Sequence, residues 1–263
     1  MNRLTGQHIL VTGAGSGIGQ ATALRLAAEG ATVVAADING DGLAATTARA
    51  ADTGISEEIT TLEMDIGDEA SVVAGVAETV DRLGGLDSVV NAAGMLRAAH
   101  TDTMSLDAWN QILTVNLTGT FLVVREALPA LLANPTSAVV NFSSTSASFA
   151  HPYMAAYSAS KGGIQSFTHS LALEYSRQGL RAVNVCPGSI KSGITEGTGQ
   201  WMPTDANWEL LAKLSPALPT ILESGGAGMG SPDAVAGVVA MLVSTDGAFI
   251  SGTEIRIDGG THA

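Results

Sequence analysis

His8-Ile9-Leu10-Val11-Thr12-Gly13-Ala14-Gly15-Ser16-Gly17-Ile18-Gly19 decides how the rest of the chain is read. Its first five residues form an apolar run that reads as a strand. The glycines behind them let a backbone turn tightly and approach a ligand closely. Gln20 to Glu29 then reads as a helix that ends at Gly30. A helix placed there aims its free N–H groups and the positive end of its dipole at a pyrophosphate. A glycine-rich loop by itself is a weak signal, but strand, loop and helix in that order are a strong one.

The next strand, Ala31–Asp37, closes on a carboxylate about 20 residues beyond the loop, where dinucleotide-binding folds hold the adenosine ribose hydroxyls. An Asp closing a strand is also a common helix cap, and both roles are open for Asp37. Further apolar runs predict strands at Glu58–Asp65, Leu86–Asn91, Ala138–Ser143, Arg181–Pro187 and Glu254–Ile257. Between them lie helical stretches such as Asp68–Leu83, Leu117–Leu132, Met154–Arg177 and Pro232–Ser244. Such alternation predicts an α/β domain of the Rossmann-like, doubly wound type: about seven parallel strands with helices on both faces. Ligands bind such sheets beyond the carboxyl ends of the strands, and the Gly loop, Asp37, Asp65, Asn91 and Ser144 all fall there.

Tyr157 and Lys161 stand four residues apart ahead of a long helical stretch, so they share one helix face. At ~4 Å and an effective dielectric of ~20, the ammonium favours a phenolate by up to roughly 4 kcal/mol. That is enough to move a tyrosine from ~10 toward neutrality and make it a general acid or base. Alone the spacing means little, since a surface Tyr and a solvated Lys often meet it.

Together these motifs resemble the short-chain dehydrogenases/reductases. Thr12-Gly13-Ala14-Gly15-Ser16-Gly17-Ile18-Gly19 matches that family's Thr-Gly-x-x-x-Gly-x-Gly loop, and Asn91-Ala92-Ala93-Gly94 its turn after the fourth strand. Asn116 in Val115-Asn116-Leu117 falls where the family keeps an active-site asparagine. Ser144, thirteen residues before Tyr157, falls where it places its catalytic serine. Pro187-Gly188 matches the turn that supports the nicotinamide. The likeness covers Met1 to about Ile194 and Ser231 to the end, leaving the stretch from Thr195 to Gly230 with little match.

The resemblance implies a catalytic set of Asn116, Ser144, Tyr157 and Lys161. Tyr157 exchanges a proton with the substrate oxygen, Lys161 lowers its pKa and holds the nicotinamide ribose, and Ser144 orients the substrate. Asn116 holds a water that links Lys161 to solvent. Ser143, Thr145, Ser146 and Ser148 are neighbours that only the spacing excludes. Cofactor contacts are expected from Gly13, Gly15, Ser16, Gly17, Ile18 and Gly19, and from Asp37 and Ile38. They are also expected from Asp65 and Ile66 at the adenine, from Asn91, Ala92, Ala93 and Gly94, and from Tyr157 and Lys161. Pro187, Gly188, Ile190 and Ser192 would meet the nicotinamide. Asp65 could equally cap the next helix. A carboxylate at Asp37 repels a 2′-phosphate, and Ser16 and Ile38 stand where NADP-preferring relatives tend to be basic, so NAD is the expected cofactor.

Composition limits the alternatives. The chain has 263 residues and no Pro/Ser-rich linker, charge block or internal repeat, so one domain is expected. A net charge of −13 and a pI near 4.6 disfavour nucleic acid and anionic membranes as partners. No apolar run reaches ~18 residues, and the first strand starts too early for a signal peptide. One cysteine, Cys186, and five scattered histidines give neither a disulfide framework nor metal-site spacing. A cytoplasmic enzyme without metal follows. The acidic charge also argues against an acidic acyl-carrier protein as partner, because Leu131–Ser137 carries no Lys or Arg where carrier-protein reductases tend to be basic. A 3-oxoacyl reductase and a non-catalytic NAD-binding sensor remain the alternatives.

The unmatched stretch, residues 195–230, occupies the family's substrate lid and contains Trp201, Met202, Trp208, Leu210 and Leu211. An apolar lid suits a hydrophobic or cyclic secondary alcohol, though the same residues could pack the lid onto the domain or a partner subunit. Met95, Leu96, His151 and Tyr153 are expected to face the same pocket. Leu117–Leu132 and Met154–Arg177 are apolar around much of their circumference, which predicts a homo-oligomer, most simply a tetramer.

Overall fold

The computed structural model describes residues 2–194, 199–218 and 228–263. The strands β1 (His8–Thr12), β2 (Thr32–Asp37), β3 (Ile59–Glu63), β4 (Ser88–Asn91), β5 (Ala138–Phe142), β6 (Arg181–Pro187) and β7 (Glu254–Ile257) form one sheet. All pairings are parallel, in the order β3-β2-β1-β4-β5-β6-β7. The expected doubly wound α/β architecture is therefore the one observed.

Helices α1 (Gly17–Ala28), α2 (Gly40–Asp52), α3 (Glu69–Leu83), α4 (Leu106–Leu113), α5 (Gly119–Leu132), α6 (Ala155–Glu174), α7 (Trp208–Ala212) and α8 (Pro232–Val243) complete the described elements. Successive strand residues point to opposite faces, so each strand feeds two cores. Ile9, Val11, Val33 and Val140 pack with Leu26, Val235, Val239 and Leu242 of α1 and α8. Leu10, Val34, Val89 and Val139 pack with Val72, Leu122, Val123, Leu131 and Leu171 of α3, α5 and α6. Burial on both faces explains why the strands read as continuous apolar runs instead of alternating ones. Truncating fully buried Leu131 to alanine would cost about 2–5 kcal/mol.

Two boundaries differ from the sequence expectation for local reasons. α1 starts at Gly17, three residues before Gln20, because the loop's last glycines already wind into the first turn. The helix expected over Leu117–Leu132 is the second part of a stretch running from Leu106 to Leu132, interrupted by a π-turn at Thr114–Thr118. By length and composition that stretch could cross a bilayer. Its apolar residues Leu122, Val123, Val124, Ala127 and Leu131 instead fill the core.

β1 has β2 on one side and β4 on the other, so strand order reverses there and a crevice opens beyond the two carboxyl ends. Gly13 makes this crevice close. It has φ +72°, and a Cβ at that position would lie 2.6 Å from the Ala93 backbone nitrogen. Any side chain would push the loop after β1 off the turn after β4.

Candidate active site

The crevice continues into a cleft of about 700 Å³ that runs from the glycine-rich loop to Tyr157, a size suited to one cofactor-scale ligand. At one end lie Gly13, Ser16, Gly17, Ile18 and Gly19 of the loop and first turn of α1. Ser16 makes no side-chain capping bond, which leaves the first amides of α1 open to a ligand. Asp37 and Ile38 from the end of β2, with Asp65 and Ile66 after β3, line the adjoining wall. Ala92, Ala93 and Gly94 form the floor. Pro187, Gly188, Ile190 and Ser192 close the far side together with Ser144, Tyr157 and Lys161.

Asp37 Oδ2 accepts from the Gly15 amide at 2.8 Å and Oδ1 accepts from the Asn39 amide at 2.9 Å. A Cβ on Gly15 would lie 2.9 Å from that carboxylate. Gly15 is not among the residues lining the cleft, and its amide fixes Asp37 in place. The two roles left open for Asp65 also separate. Its Oδ1 accepts from Gly67 N at 2.8 Å, while Asp68 caps α3 by accepting from Ala70 N at 2.8 Å.

Asn91 is buried and is not among the residues lining the cleft: its amide donates to Asn141 Oδ1 at 2.9 Å, and Asn141 Nδ2 in turn donates to Thr168 Oγ1 at 2.9 Å. Asn91, Asn141 and Asn184 pair in register on β4, β5 and β6, a polar seam through the sheet beneath the site. Asn116 lies in the π-turn, fully buried, and its amide spans two segments. Oδ1 accepts from Met95 N at 2.8 Å, and Nδ2 donates to Met95 O at 2.9 Å and Ser160 Oγ at 3.0 Å. These bonds staple the loop after β4 to α6, beside Lys161. A π-turn inserts one extra residue per turn and commonly sits at functional sites.

The neighbouring hydroxyls differ in their partners. Ser143 Oγ donates to Lys161 O at 3.0 Å, Thr145 Oγ1 donates to Pro187 O at 3.4 Å, and Ser148 reaches Gln165. Ser144 stands beside the Tyr157 phenol and favours its charged form, while its Oγ accepts from Ser146 N at 3.1 Å.

Tyr157 and Lys161 meet as their spacing predicts, with Nζ 5.5 Å from the phenol ring centre. The expected pKa of the phenol does not follow. Burial pushes Tyr157 up to about 12 against the hydrogen bond from Ser144, and burial draws Lys161 down to about 8. Desolvation penalises both charged forms and outweighs their attraction across this gap. Lys161 Nζ donates to Phe142 O at 2.7 Å, which keeps the amine seated whether or not it is charged.

The opposite wall is formed by segments that spacing alone could not assign. Met95, Leu96 and His151 line the cleft as expected, joined by Gln111, Met154, Leu214 and Met229. Tyr153 does not line it. At φ +67°, its hydroxyl accepts from Asn207 N at 2.8 Å and its ring meets His100 edge-on at 5.1 Å. Of the expected lid, residues 195–198 and 219–227 lie outside the described residues. In the described part Trp201 and Trp208 are exposed and do not line the cleft, and Arg97 stacks over Trp201 at 4.0 Å. Among the described residues the lid contributes Leu214 and Met229 to the wall, which no aromatic pattern singled out.

The short chain dehydrogenase family profile matches residues 7–203. This chain belongs to the short-chain dehydrogenase/reductase family. It is 32% identical to levodione reductase from Leifsonia aquatica over 262 residues, covering 99% of this chain and 96% of that one. A crystal structure of levodione reductase superposes with a TM-score of 0.88 at 31% identity, each chain covered to 97%. The dehydrogenase is also 32% identical to the 3-oxoacyl-[acyl-carrier-protein] reductase of Thermotoga maritima, with 98% of both chains covered. A short chain dehydrogenase from Burkholderia cenocepacia, solved in complex with NADP, superposes with a TM-score of 0.85 at 30% identity and full coverage of both chains. The family and its nicotinamide-cofactor fold are thereby shown.

Proposed function

We propose that this dehydrogenase interconverts a secondary alcohol and a ketone with NAD, on a hydrophobic or cyclic small molecule. The observation that carries the chemistry is the convergence of Ser144, Tyr157 and Lys161 on one cleft, with Ser144 beside the phenol. The cradle suits a dinucleotide: open amides at the start of α1, glycines where a side chain would collide, and Asp37 at the end of β2. Gly13, Ser16–Gly19, Asp37, Asp65, Ala92–Gly94 and Pro187–Ser192 would hold it, and it supplies the hydride chemistry. Tyr157 gives its proton to the carbonyl oxygen in reduction and takes one from the hydroxyl in oxidation. Ser144 holds that oxygen beside the phenol, and Lys161 supports the charge that develops there.

Preference for NAD rests on Asp37. Its carboxylate is braced by Gly15 and Asn39 at the place where a 2′-phosphate would have to sit, and two like charges there repel. Ile38 beside it is neutral and two-thirds exposed, offering the phosphate no partner. The apolar substrate wall of Met95, Leu96, Met154, Leu214 and Met229 supports a hydrophobic substrate. A carrier-protein substrate fits less well. Arg125 of α5 is already paired with Glu69 and Glu126, and Arg97 lies over Trp201.

An NAD-coupled absorbance screen of secondary alcohols, including sterols, hydroxy acids, polyols and cyclic alcohols, tests the assignment. Turnover of at least one apolar or cyclic member is expected, and silence across the screen with both nucleotides would overturn it. Assembly is part of the proposal. Phe121 on α5 and Leu173 on α6 are exposed apolar residues, and Phe249 is entirely exposed. Such residues on two adjoining helices support a homotetramer with paired two-fold interfaces. Light scattering at low micromolar concentration should give about four times the 26.6 kDa chain mass. The single buried cysteine is in keeping with a reducing, cytoplasmic setting.

A further inference from the structure

His151 sits between the short helical turn Thr145–Ala147 and α6, and its ring belongs to two cavities at once. One is the cleft that holds Ser144 and Tyr157. The other is a side cavity of about 690 Å³ reached past His151 and Leu214, walled by Phe149, Leu210, Lys213 and His262. His151 is therefore the polar partition between the reacting centre and the space into which a larger substrate extends.

Its tautomer follows from its partner. Nε2 lies 3.3 Å from Thr145 Oγ1, which is also 3.4 Å from the Pro187 carbonyl. A carbonyl only accepts, so the tautomer that satisfies both contacts at once has Thr145 donating to the carbonyl and Nε2 donating to Thr145. That tautomer leaves Nδ1 as an acceptor. The ring that carries it borders both cavities. The ring is held from behind by His262, centred 5.7 Å away and itself stacked on Phe149 at 4.1 Å. Arg256, over the far side of Phe149, bonds the His262 carbonyl. Burial, with His262 as neighbour, holds His151 down at about 4, so it stays neutral across the physiological range.

We propose that His151 sets substrate specificity: its Nδ1 accepts a hydrogen bond from a second hydroxyl on the substrate, so the preferred substrates are diols and hydroxyketones instead of simple secondary alcohols. This rests on the alcohol–ketone chemistry proposed above. An acceptor in a partly dry cleft loses its water when substrate enters, so a ligand without a donor leaves it unpaired. Sites built to bond a hydroxyl reject analogues that lack it far more strongly than apolar pockets reject an extra group.

The test uses pairs that differ by one hydroxyl: cyclohexanol against 1,2- and 1,3-cyclohexanediol, and cyclohexanone against 2-hydroxycyclohexanone, with the NAD-loaded enzyme. The best hydroxylated member should exceed its partner in kcat/KM by about tenfold or more, the worth of one well-made hydrogen bond. H151F should bring that ratio near one, and H151N, which restores an acceptor close to Nδ1, should recover part of it. A wild-type ratio near one, or a ratio that survives H151F, overturns the proposal.

A readout independent of turnover is ¹⁵N NMR of histidine-labelled enzyme, with His151 assigned by the signal lost in H151F. At pH 7 it should show a neutral ring protonated on Nε2, and the diol but not cyclohexanol should move Nδ1 upfield. A ring protonated on Nδ1 overturns the proposal. A diol-induced shift without turnover of any alcohol would uphold the His151 site and sink the reaction assignment. Equal turnover with no shift would do the reverse.

Discussion

Around the glycine-rich loop the cleft is made of backbone, whereas on the side facing residues 199–218 it is made of side chains that reach between distant segments. At the first end, Gly13 lies against the backbone of Ala93, and the Gly15 amide holds the Asp37 carboxylate. Each partner sits at the end of a strand whose register the sheet already sets. At the other end, Arg97 meets Trp201, His100 pairs with Asp205, and Tyr153 accepts from Asn207, each pair more than 50 residues apart in sequence. Exposed pairs of this kind contribute little individually, about 0–1 kcal/mol. The comparison teaches that the nucleotide end is as rigid as the sheet, while the substrate end is held by several weak ties that can be altered without disturbing the fold.

The largest effect should come where the two ends meet. Tyr157→Phe should lower turnover by roughly 10²–10⁴-fold, the usual contribution of a general acid or base. NAD affinity by calorimetry should stay within a few-fold, since the phenol acts mainly in the transition state. If more than about a tenth of the rate remained, another acid must serve the reaction.

At the nucleotide end, Asp37→Ala should shrink the preference for NAD over NADP by roughly tenfold or more as the repulsion goes. Adding an arginine at Ile38 should shrink it further. The kinetic constants for the alcohol should barely respond. A large change in alcohol KM would mean the two ends are coupled and the comparison is wrong.

A pH experiment isolates the buried amine. Lys161 has a folded pKa near 8 against 10.5 unfolded, so between those values the unfolded chain binds more protons and stability rises with pH. Two buried groups oppose this: Cys186, near 11 in the fold, and Tyr157, near 12, keep protons that the unfolded chain releases, so each lowers stability as pH rises. The amine is therefore read as a difference: from pH 8 to 10 the wild type should gain about 2 kcal/mol relative to Lys161→Met in denaturant midpoints. No gain over Lys161→Met would show that the amine is not buried as described.

The smallest effect is expected at the substrate end. Arg97→Ala or Trp201→Ala should change alcohol KM a few-fold, given ~0.5–1 kcal/mol for an exposed cation–π contact. NAD affinity and thermal midpoint should hold. A collapse of either would show that these contacts support the whole domain.

Much of the nucleotide end was legible in the sequence because each feature there is local. A strand, a turn and a helix N-terminus occupy consecutive residues, and the carboxylate sits at the next strand's end. Tyr157 and Lys161 were legible as well, since helical spacing alone brings them together. The contacts of Asn91 and Asn116 were not legible, because an asparagine's partners depend on what lies opposite it. Asn141 and Met95 are 50 and 21 residues away, and both lie there only after the sheet and the π-turn form. The role of the lid's tryptophans stayed open in the sequence for a related reason: apolar composition does not say which face turns inward.

The sequence by itself determined the parallel doubly wound fold and the pairing of Tyr157 with Lys161, with Ser144 joined to them by the family resemblance. The fold and the pair follow from hydrophobic periodicity and fixed spacing, which are properties of neighbouring residues. Only the tertiary structure decided the protonation balance of that set. Two residues four apart can attract, but how far each is stripped of water depends on β5, β6 and the loop after β4 closing around them. It also decided that Leu214, Met229 and His151 wall the substrate space, since those three come together from separate connections at one edge of the sheet. Desolvation and long-range apposition belong to the packed molecule, and no stretch of chain carries them alone.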